Sequence, residues 1–465
     1  MIADLKPYDE YKDSGLPWLG RVPAHWETKR AKSVLFAIDK RSEAGQEELL
    51  TVSSAHGVIP RNSANVTMFK AKTYAGHKLC WPDDLVINSL WAWGGGLGVS
   101  SRHGIVSTAY GVYRIRRDAD YEPLFLHRLV RSTPFNWELV HRSKGIWKSR
   151  LQLTDSSFLN APIPILPLDE QELIVRFLDW ASVCLEKAIR AKRRVIALLE
   201  EQKQAIIHCA VTRGLDDTVL FKPSGLDWLG EVPEHWEMRR AKYLFREIDE
   251  RSMTGDEELL SVSHITGVTP RSQKNITMFK ARSYVGHKIC RQSDLVINTM
   301  WAWMAALGVS EHTGIVSPAY AVYRPRTELL TDGYVDRLLR VSAYRAEFLA
   351  RSTGIRLSRM RLYPEAFFRI PLPIPPIKEQ DEIVSEIRGK TKHLDAGIEN
   401  ANREIELLLE YRTRLISDVV TGKLDVRDVA RSLPNESERS ESIDMQPAGS
   451  DLDDFADDEL AEEAV

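Results

Sequence analysis

No run of about 18 consecutive apolar residues occurs in this 465-residue chain, so no membrane-spanning helix is expected. The amino terminus lacks the charged-then-apolar pattern of a secretory signal, which points to the cytoplasm. Cysteine is scarce: Cys80, Cys184, Cys209 and Cys290 are far apart and form no Cys-x-x-Cys pair, so neither a disulfide framework nor a structural zinc site is suggested. His25, His77, His235 and His287 show no His-x-x-x-His spacing and read as packing or capping residues rather than metal ligands. Cys80 and Cys290, beside apolar strand-like runs, read as small buried hydrophobes.

The usual marks of catalysis are also missing. There is no Gly-x-x-x-x-Gly-Lys-[Ser/Thr] phosphate loop, and no Gly-x-Gly-x-x-Gly opens a helix. An Asn/Asp-Pro-Pro-aromatic segment, expected of an enzyme that methylates base amino groups, is absent. Pro82-Asp-Asp84 could begin a nuclease metal site, but its counterpart in a repeat described below, Gln292-Ser-Asp294, has lost one carboxylate. These absences disfavour a single-chain enzyme that both recognises and modifies DNA, and no cofactor and no metal are suggested.

What the chain does have is ordinary globular composition, 43% hydrophobic and 28% charged, enough for two or three domains. Its net charge of −3 is uneven: residues 434–465 hold twelve acidic residues and one arginine, which leaves about +8 on the remainder. That tail is too acidic and too poor in large apolar residues to fold alone and reads as disordered. It is expected to serve as a solubilising extension, an acidic decoy or a partner-binding segment.

The chain is also written twice. Ser14-Gly-Leu-Pro-Trp-Leu-Gly-Arg-Val-Pro-Ala-His-Trp-Glu27 returns as Ser224-Gly-Leu-Asp-Trp-Leu-Gly-Glu-Val-Pro-Glu-His-Trp-Glu237, and 42 of 69 positions are identical between 48–116 and 258–326. Pro162-Ile-Pro-Ile-Leu-Pro-Leu-Asp-Glu-Gln171 matches Pro371-Leu-Pro-Ile-Pro-Pro-Ile-Lys-Glu-Gln380. Each copy opens with a mixed region of about 150 residues, an ordinary domain size. Strand-like runs such as Asp84-Leu-Val-Ile-Asn88 and Tyr110-Gly-Val-Tyr-Arg-Ile115 are followed by a helical stretch, giving an α+β lobe.

A different texture follows each lobe. Val175, Leu178, Ser182, Leu185, Ile189, Lys192, Ile196, Leu199, Lys203, Ile206 and Ala210 fall on alternating three- and four-residue steps, and 384–419 repeats the pattern. A stripe sustained over five heptads predicts a long helix needing a partner, either the other helix in a coiled coil or its own lobe. Lys192, Gly389 and Gly397 weaken it. Prolines before Asp169 and Lys378 set the helix starts. The expected division is 1–166 for the first lobe, 167–213 for its helix, 214–375 for the second lobe, 376–425 for its helix and 426–465 for the tail.

Basic and aromatic residues cluster around the strands of both lobes: Arg61, Lys70, Lys72, Tyr74, His77 and Lys78 recur as Arg271, Lys280, Arg282, Tyr284, His287 and Lys288. Trp91 and Trp93, recurring as Trp301 and Trp303, read first as core. Arg142-Ser-Lys-Gly-Ile-Trp-Lys-Ser-Arg150 and Arg351-Ser-Thr-Gly-Ile-Arg-Leu-Ser-Arg359 are cationic, glycine-containing loops suited to close approach to phosphate or simply solvated.

The doubled lobe, its Trp-Leu-Gly-x-Val-Pro-x-His-Trp opening, its proline hinge ending in Glu-Gln and the long helix after it resemble the specificity subunit of type I restriction-modification systems, over about residues 8–425. The resemblance implies two tandem target recognition domains, each reading one half of a bipartite site in double-stranded DNA. It implies an antiparallel coiled coil that acts as a spacer and binds two modification subunits, which restriction subunits join. On that basis the places where the lobes differ are expected to read bases: Ser54, His56, Gly95, Trp147 and Lys148 in the first lobe, His264, Thr266, Met304 and Arg356 in the second. Lys78, Arg142, Lys144, Arg150, Lys288, Arg351 and Arg359 are expected to contact phosphate. Because the lobes are alike, their half-sites should be related as a near-palindrome. The competing expectation is a two-lobed protein-interaction scaffold without nucleic acid.

Overall fold

The structure, a computed structural model, describes residues 5–63, 73–145, 151–273, 283–355 and 359–434. These form two compact units, one from the described residues up to 192 together with 403–434, the other from those within 193–402.

At the centre of the first unit are four antiparallel strands in the order Leu35–Ala37, Tyr110–Ile115, Leu85–Asn88 and Leu97–Val99. Val86 lies opposite Val112, and Tyr113 opposite Leu85. Successive strand side chains point to opposite faces, and here both faces are covered. Leu85, Ile87 and Tyr113 enter a large core with Phe125, Leu129 and Phe135 of the helices Pro123–Val130 and Thr133–Arg142. Val86 and Val112 enter a smaller core with Leu50, Val58, Cys80 and Val106. Two-sided burial is why these strands read as continuous apolar runs rather than as an alternation.

Those smaller-core residues come from two flanking ribbons, the hairpin Leu50–Ser53 with Gly57–Pro60 and the pair Lys78–Cys80 with Gly104–Val106. The second unit repeats the plan, with the sheet order Phe245–Ile248, Ala321–Pro325, Leu295–Ile297 and Leu307–Val309 and the hairpin Leu260–Ser263 with Gly267–Pro270. Leu295, Ile297 and Tyr323 serve its large core, Val296 and Val322 the small one.

The long helices run Leu168–Arg213 and Ile377–Val420, each beginning directly after a proline. Each unit holds half of each helix. In the first, Leu178 shares a core with Leu415 and Val419, and Lys192 pairs with Glu404 while Arg412 reaches Glu186 at 3.5 Å. In the second, Lys203 meets Asp395 at 2.5 Å. Numbers climbing on one helix meet numbers falling on the other, so the helices pair antiparallel in both units. Lys192 is therefore one end of an ion pair between helices rather than a break in the stripe. Gly397 is equally explained: a Cβ there would stand 3.3 Å from Leu199 Cδ1.

One boundary differs from the expectation. Residues 426–434 belong to the first unit, where the short helix Arg427–Ser432 follows and Val426 and Ala430 enter the large core. Arg176 holds the backbone carbonyl of Leu433. The acidity of the segment beyond masks this apolar stretch when composition is averaged, and residues 435–465 lie outside the described ones. No helix among the described residues is long and apolar enough to cross a membrane.

Candidate nucleic-acid interface

The Glu-Gln at the end of each proline hinge anchors the helix start to the lobe. Glu170, 3% exposed, accepts from Tyr8 Oη (2.7 Å) and Trp26 Nε1 (3.0 Å) and contacts His25 Nε2 (2.7 Å). Gln171 accepts the amide of Glu122 and donates to the carbonyls of Asp120 and Leu166. In the second unit Glu379 takes Trp236 Nε1 and His235 Nε2, and Gln380 bonds Thr331, Leu329 and Pro375. The repeated His-Trp and Glu-Gln motifs are thus one structural joint.

Asp84, the remaining candidate for nuclease chemistry, is fully buried and held by Arg114 through two bonds of 2.7 and 2.8 Å, as Asp294 is by Arg324. A carboxylate so occupied serves packing. Burial pushes the thiols of Cys80 and Cys290 up to about 11 and about 12, as befits buried apolar residues. No group of His, Cys, Asp and Glu among the described residues could hold a metal ion.

Among the described base-reading candidates, Ser54 and His56 lie on a hairpin turn close to Gly95, and His264 and Thr266 lie on the matching turn of the second lobe. In the first, the hairpin closes through Ser54, Ala55 and His56, all exposed, and ends at Gly57 with φ +76°. A three-residue hairpin loop needs such a left-handed residue, and at Gly57 a Cβ would also meet His127 at 3.0 Å. Ser53 Oγ accepts the amides of Ala55 and His56 from within the loop. From below, Arg131 donates to four carbonyls: Leu97 (2.7 Å), Ser54 (2.8 Å), Ala55 (2.8 Å) and Ser53 (3.4 Å). Gly95 adjoins this tip, since a Cβ placed on it would lie 3.8 Å from Ser54 Cβ.

Bonds at Lys144, Gln152 and Leu153 flank the cationic segment. Lys144 and Gln152 exchange two backbone bonds that close its neck, and the amide of Leu153 bonds the carbonyl of Ser89 just before Trp91. Trp91 is 54% exposed and lies parallel to Trp93, ring centroids 6.1 Å apart. That exposure departs from the expectation of a core residue. Trp147, Lys148 and Arg150 lie outside the described residues.

The second lobe keeps the frame and changes the surface. Its tip is His264, Ile265 and Thr266, with Ser263 Oγ accepting the amides of Ile265 and Thr266 and Arg340 donating to the carbonyls of His264 and Ile265, both at 2.7 Å. Thr353 and Arg361 close the loop neck, and Leu362 bonds the carbonyl of Thr299. Met304, half-buried, stands where the first lobe has Gly94 and Ala305 where it has Gly95. The side chain matters there: a Cβ on Gly94 would fall 1.7 Å from Trp91 Nε1, so the two lobes hold their outer tryptophans differently. Arg356 lies outside the described residues.

The expected phosphate contacts divide into two groups. Lys144 and Arg359 are exposed on the loops. Of the other described ones, Lys78 Nζ donates to the Tyr110 carbonyl at 2.8 Å, and Lys288, 8% exposed, sits 3.8 Å from Asp249. Arg142 pairs with Glu138 and Arg351 with Glu347, one helical turn back. Sequence reasoning passed over Arg131 and Arg340. A signal existed, because both lobes carry arginine at that place in a predicted helix, but a carbonyl clamp has no motif.

No family model matches the chain. It is 20% identical over 443 residues to a protein assigned as the type I restriction enzyme MjaX specificity subunit of Methanocaldococcus jannaschii, covering 88% of this chain and 96% of that one. A solved chain from work on complex assembly and conformational transition of the type I R-M system superposes with a TM-score of 0.58 at 18% identity, covering 87% of this chain and 99% of that one. The HsdS subunit from Thermoanaerobacter tengcongensis matches at a TM-score of 0.44 and 18% identity, over 87% and 98% of the two chains. Along nearly its whole length the chain is thus similar in sequence to a protein assigned as a type I restriction enzyme specificity subunit, and it shares the fold of a solved chain from the type I R-M system.

Proposed function

We propose that this chain is the DNA sequence-recognition subunit of a cytoplasmic type I restriction-modification complex, non-catalytic itself, with each lobe reading one half of a bipartite target. The observation that carries this is the doubled surface: each lobe presents a braced hairpin tip and an exposed cation, Lys144 or Arg359, on a frame nearly identical in the two copies. Ser54, His56, Gly95, Trp147 and Lys148 in one lobe and His264, Thr266, Met304 and Arg356 in the other are the base-reading candidates. Lys144 and Arg359, exposed on the loops, carry the phosphate contacts. Because side chains differ mainly at tips on a common frame, the half-sites are related but not identical.

The paired helices dock two modification subunits, whose complex restriction subunits then join. In the first unit a cleft of about 650 Å³ between the helices is lined by Leu407, Leu408, Tyr411, Ala188 and Lys192, with Leu407 57% exposed. Exposed apolar side chains on a helix pair suit a protein partner. The test is duplex binding by the assembled complex as salt is raised: binding that falls steeply with salt and prefers one bipartite sequence supports the reading. Salt-insensitive association, or none, favours a protein scaffold.

A further inference from the structure

The middle residue of each hairpin tip changes in size, from a single methyl to a branched aliphatic side chain, while the residues on either side of the tip are kept. Val52-Ser53 and Gly57-Val58 flank one tip, Val262-Ser263 and Gly267-Val268 the other, and all three residues between them change. The first lobe has Ala55 there. The second has Ile265, 73% exposed.

A lone exposed aliphatic residue is common on protein surfaces and means little by itself. Ile265 is unusual in how firmly it is held. Its amide donates to Ser263 Oγ at 3.3 Å, its carbonyl accepts from Arg340 at 2.7 Å, and its neighbour Thr266 bonds Ser263 Oγ through its side chain at 3.0 Å. The tip gives up little conformational freedom on contact, so its side chain acts as a preorganised apolar probe. Flanking it are His264 and Thr266, which can hydrogen-bond base edges.

In the major groove the base edges present donors, acceptors and one apolar group, the 5-methyl of thymine. On the reading of the lobes as duplex readers, on which this rests, we infer that Ile265 packs against a thymine methyl in the half-site read by the second lobe. The first lobe, with Ala55 at that place, lacks the contact. The two half-sites then diverge at one base pair for a stated reason.

The test uses the full chain assembled with modification subunits, on its bipartite target with each thymine replaced singly by deoxyuridine, which lacks only the methyl. One thymine in one half-site should weaken binding about fourfold when so replaced, the effect of one methyl returned to water. Ile265→Ala, a change at an exposed tip, should bind the thymine and uracil duplexes alike. Its salt slope should be unchanged, since no charge is altered. If wild type binds its target but no thymine senses the replacement, or if Ile265→Ala keeps the same sensitivity, this inference falls and the recognition reading stands. If wild type shows no salt-dependent duplex binding, both fall.

Discussion

Removing the carboxylate at the joint between lobe and helix should hurt the two units unequally. Glu170→Ala takes the acceptor from two buried donors, Tyr8 Oη and Trp26 Nε1, on residues 4% and 0% exposed. Glu379→Ala orphans one, Trp236 Nε1, because the place of Tyr8 is taken in the second copy by Thr218. His25 and His235 are 41% and 45% exposed in their side chains and regain water in either variant. A buried donor left without a partner costs about 1–3 kcal/mol, so the expected losses are about 4 kcal/mol for Glu170→Ala and about 2 kcal/mol for Glu379→Ala. For units of this size about 1 kcal/mol moves a melting midpoint by about 2–4 °C. Calorimetry of the two variants should therefore show a drop of about 12 °C in the first and about 6 °C in the second, each confined to one transition. Equal drops, or a larger one for Glu379→Ala, would refute the reasoning that counts buried donors.

Three other outcomes follow from the same geometry. Lys144→Ala and Arg359→Ala should weaken duplex binding on all sequences and flatten the salt slope by about one unit, whereas Lys288→Met should lower stability and leave the slope alone; titrations at several salt concentrations separate the two classes. Arg131→Lys removes the fork that holds four carbonyls, so base preference should relax in the first lobe's half-site only, as read by mapping modified bases, while non-specific affinity persists. His127, lowered to about 4 chiefly by burial and then by Arg131 and Arg128, is a depressed base whose contribution is present above pH 6.5 and lost as pH falls toward 4, about 3 kcal/mol in all. Its counterpart Asp336 is raised, chiefly by burial, and stabilises in the opposite direction, being lost as pH rises through its folded value. Acidification from 6.5 to 4 should thus weaken the first unit and not the second, and His127→Gln should abolish the slope; two transitions that shift together would contradict this.

Much of the architecture is legible in the sequence because it is carried by repetition and period. The internal repeat marks two lobes, and the three- and four-residue steps from Val175 onward mark a helix observed from Leu168 to Arg213. What escapes is whatever depends on side chains brought together across long stretches of chain. Glu170 and Trp26 are 144 residues apart, so the motifs are visible but their bond is not. Lys288 has the same composition signal as an exposed phosphate contact and is instead buried beside Asp249. Trp91 follows an apolar strand and looks like core, yet the turn after Asn88 carries it outward. Val426 and Ala430 belong to a core most of whose other members are hundreds of residues earlier.

The central claim, that two similar lobes read two related half-sites, is tested most directly by a base-modification map of DNA from cells expressing this chain with its modification subunit, against cells lacking it. The account predicts a new bipartite motif, modified on both strands, whose halves match except at a few positions that shift when the tip residues are exchanged between lobes. Absence of any new motif, with the subunits folded and associated, would contradict it.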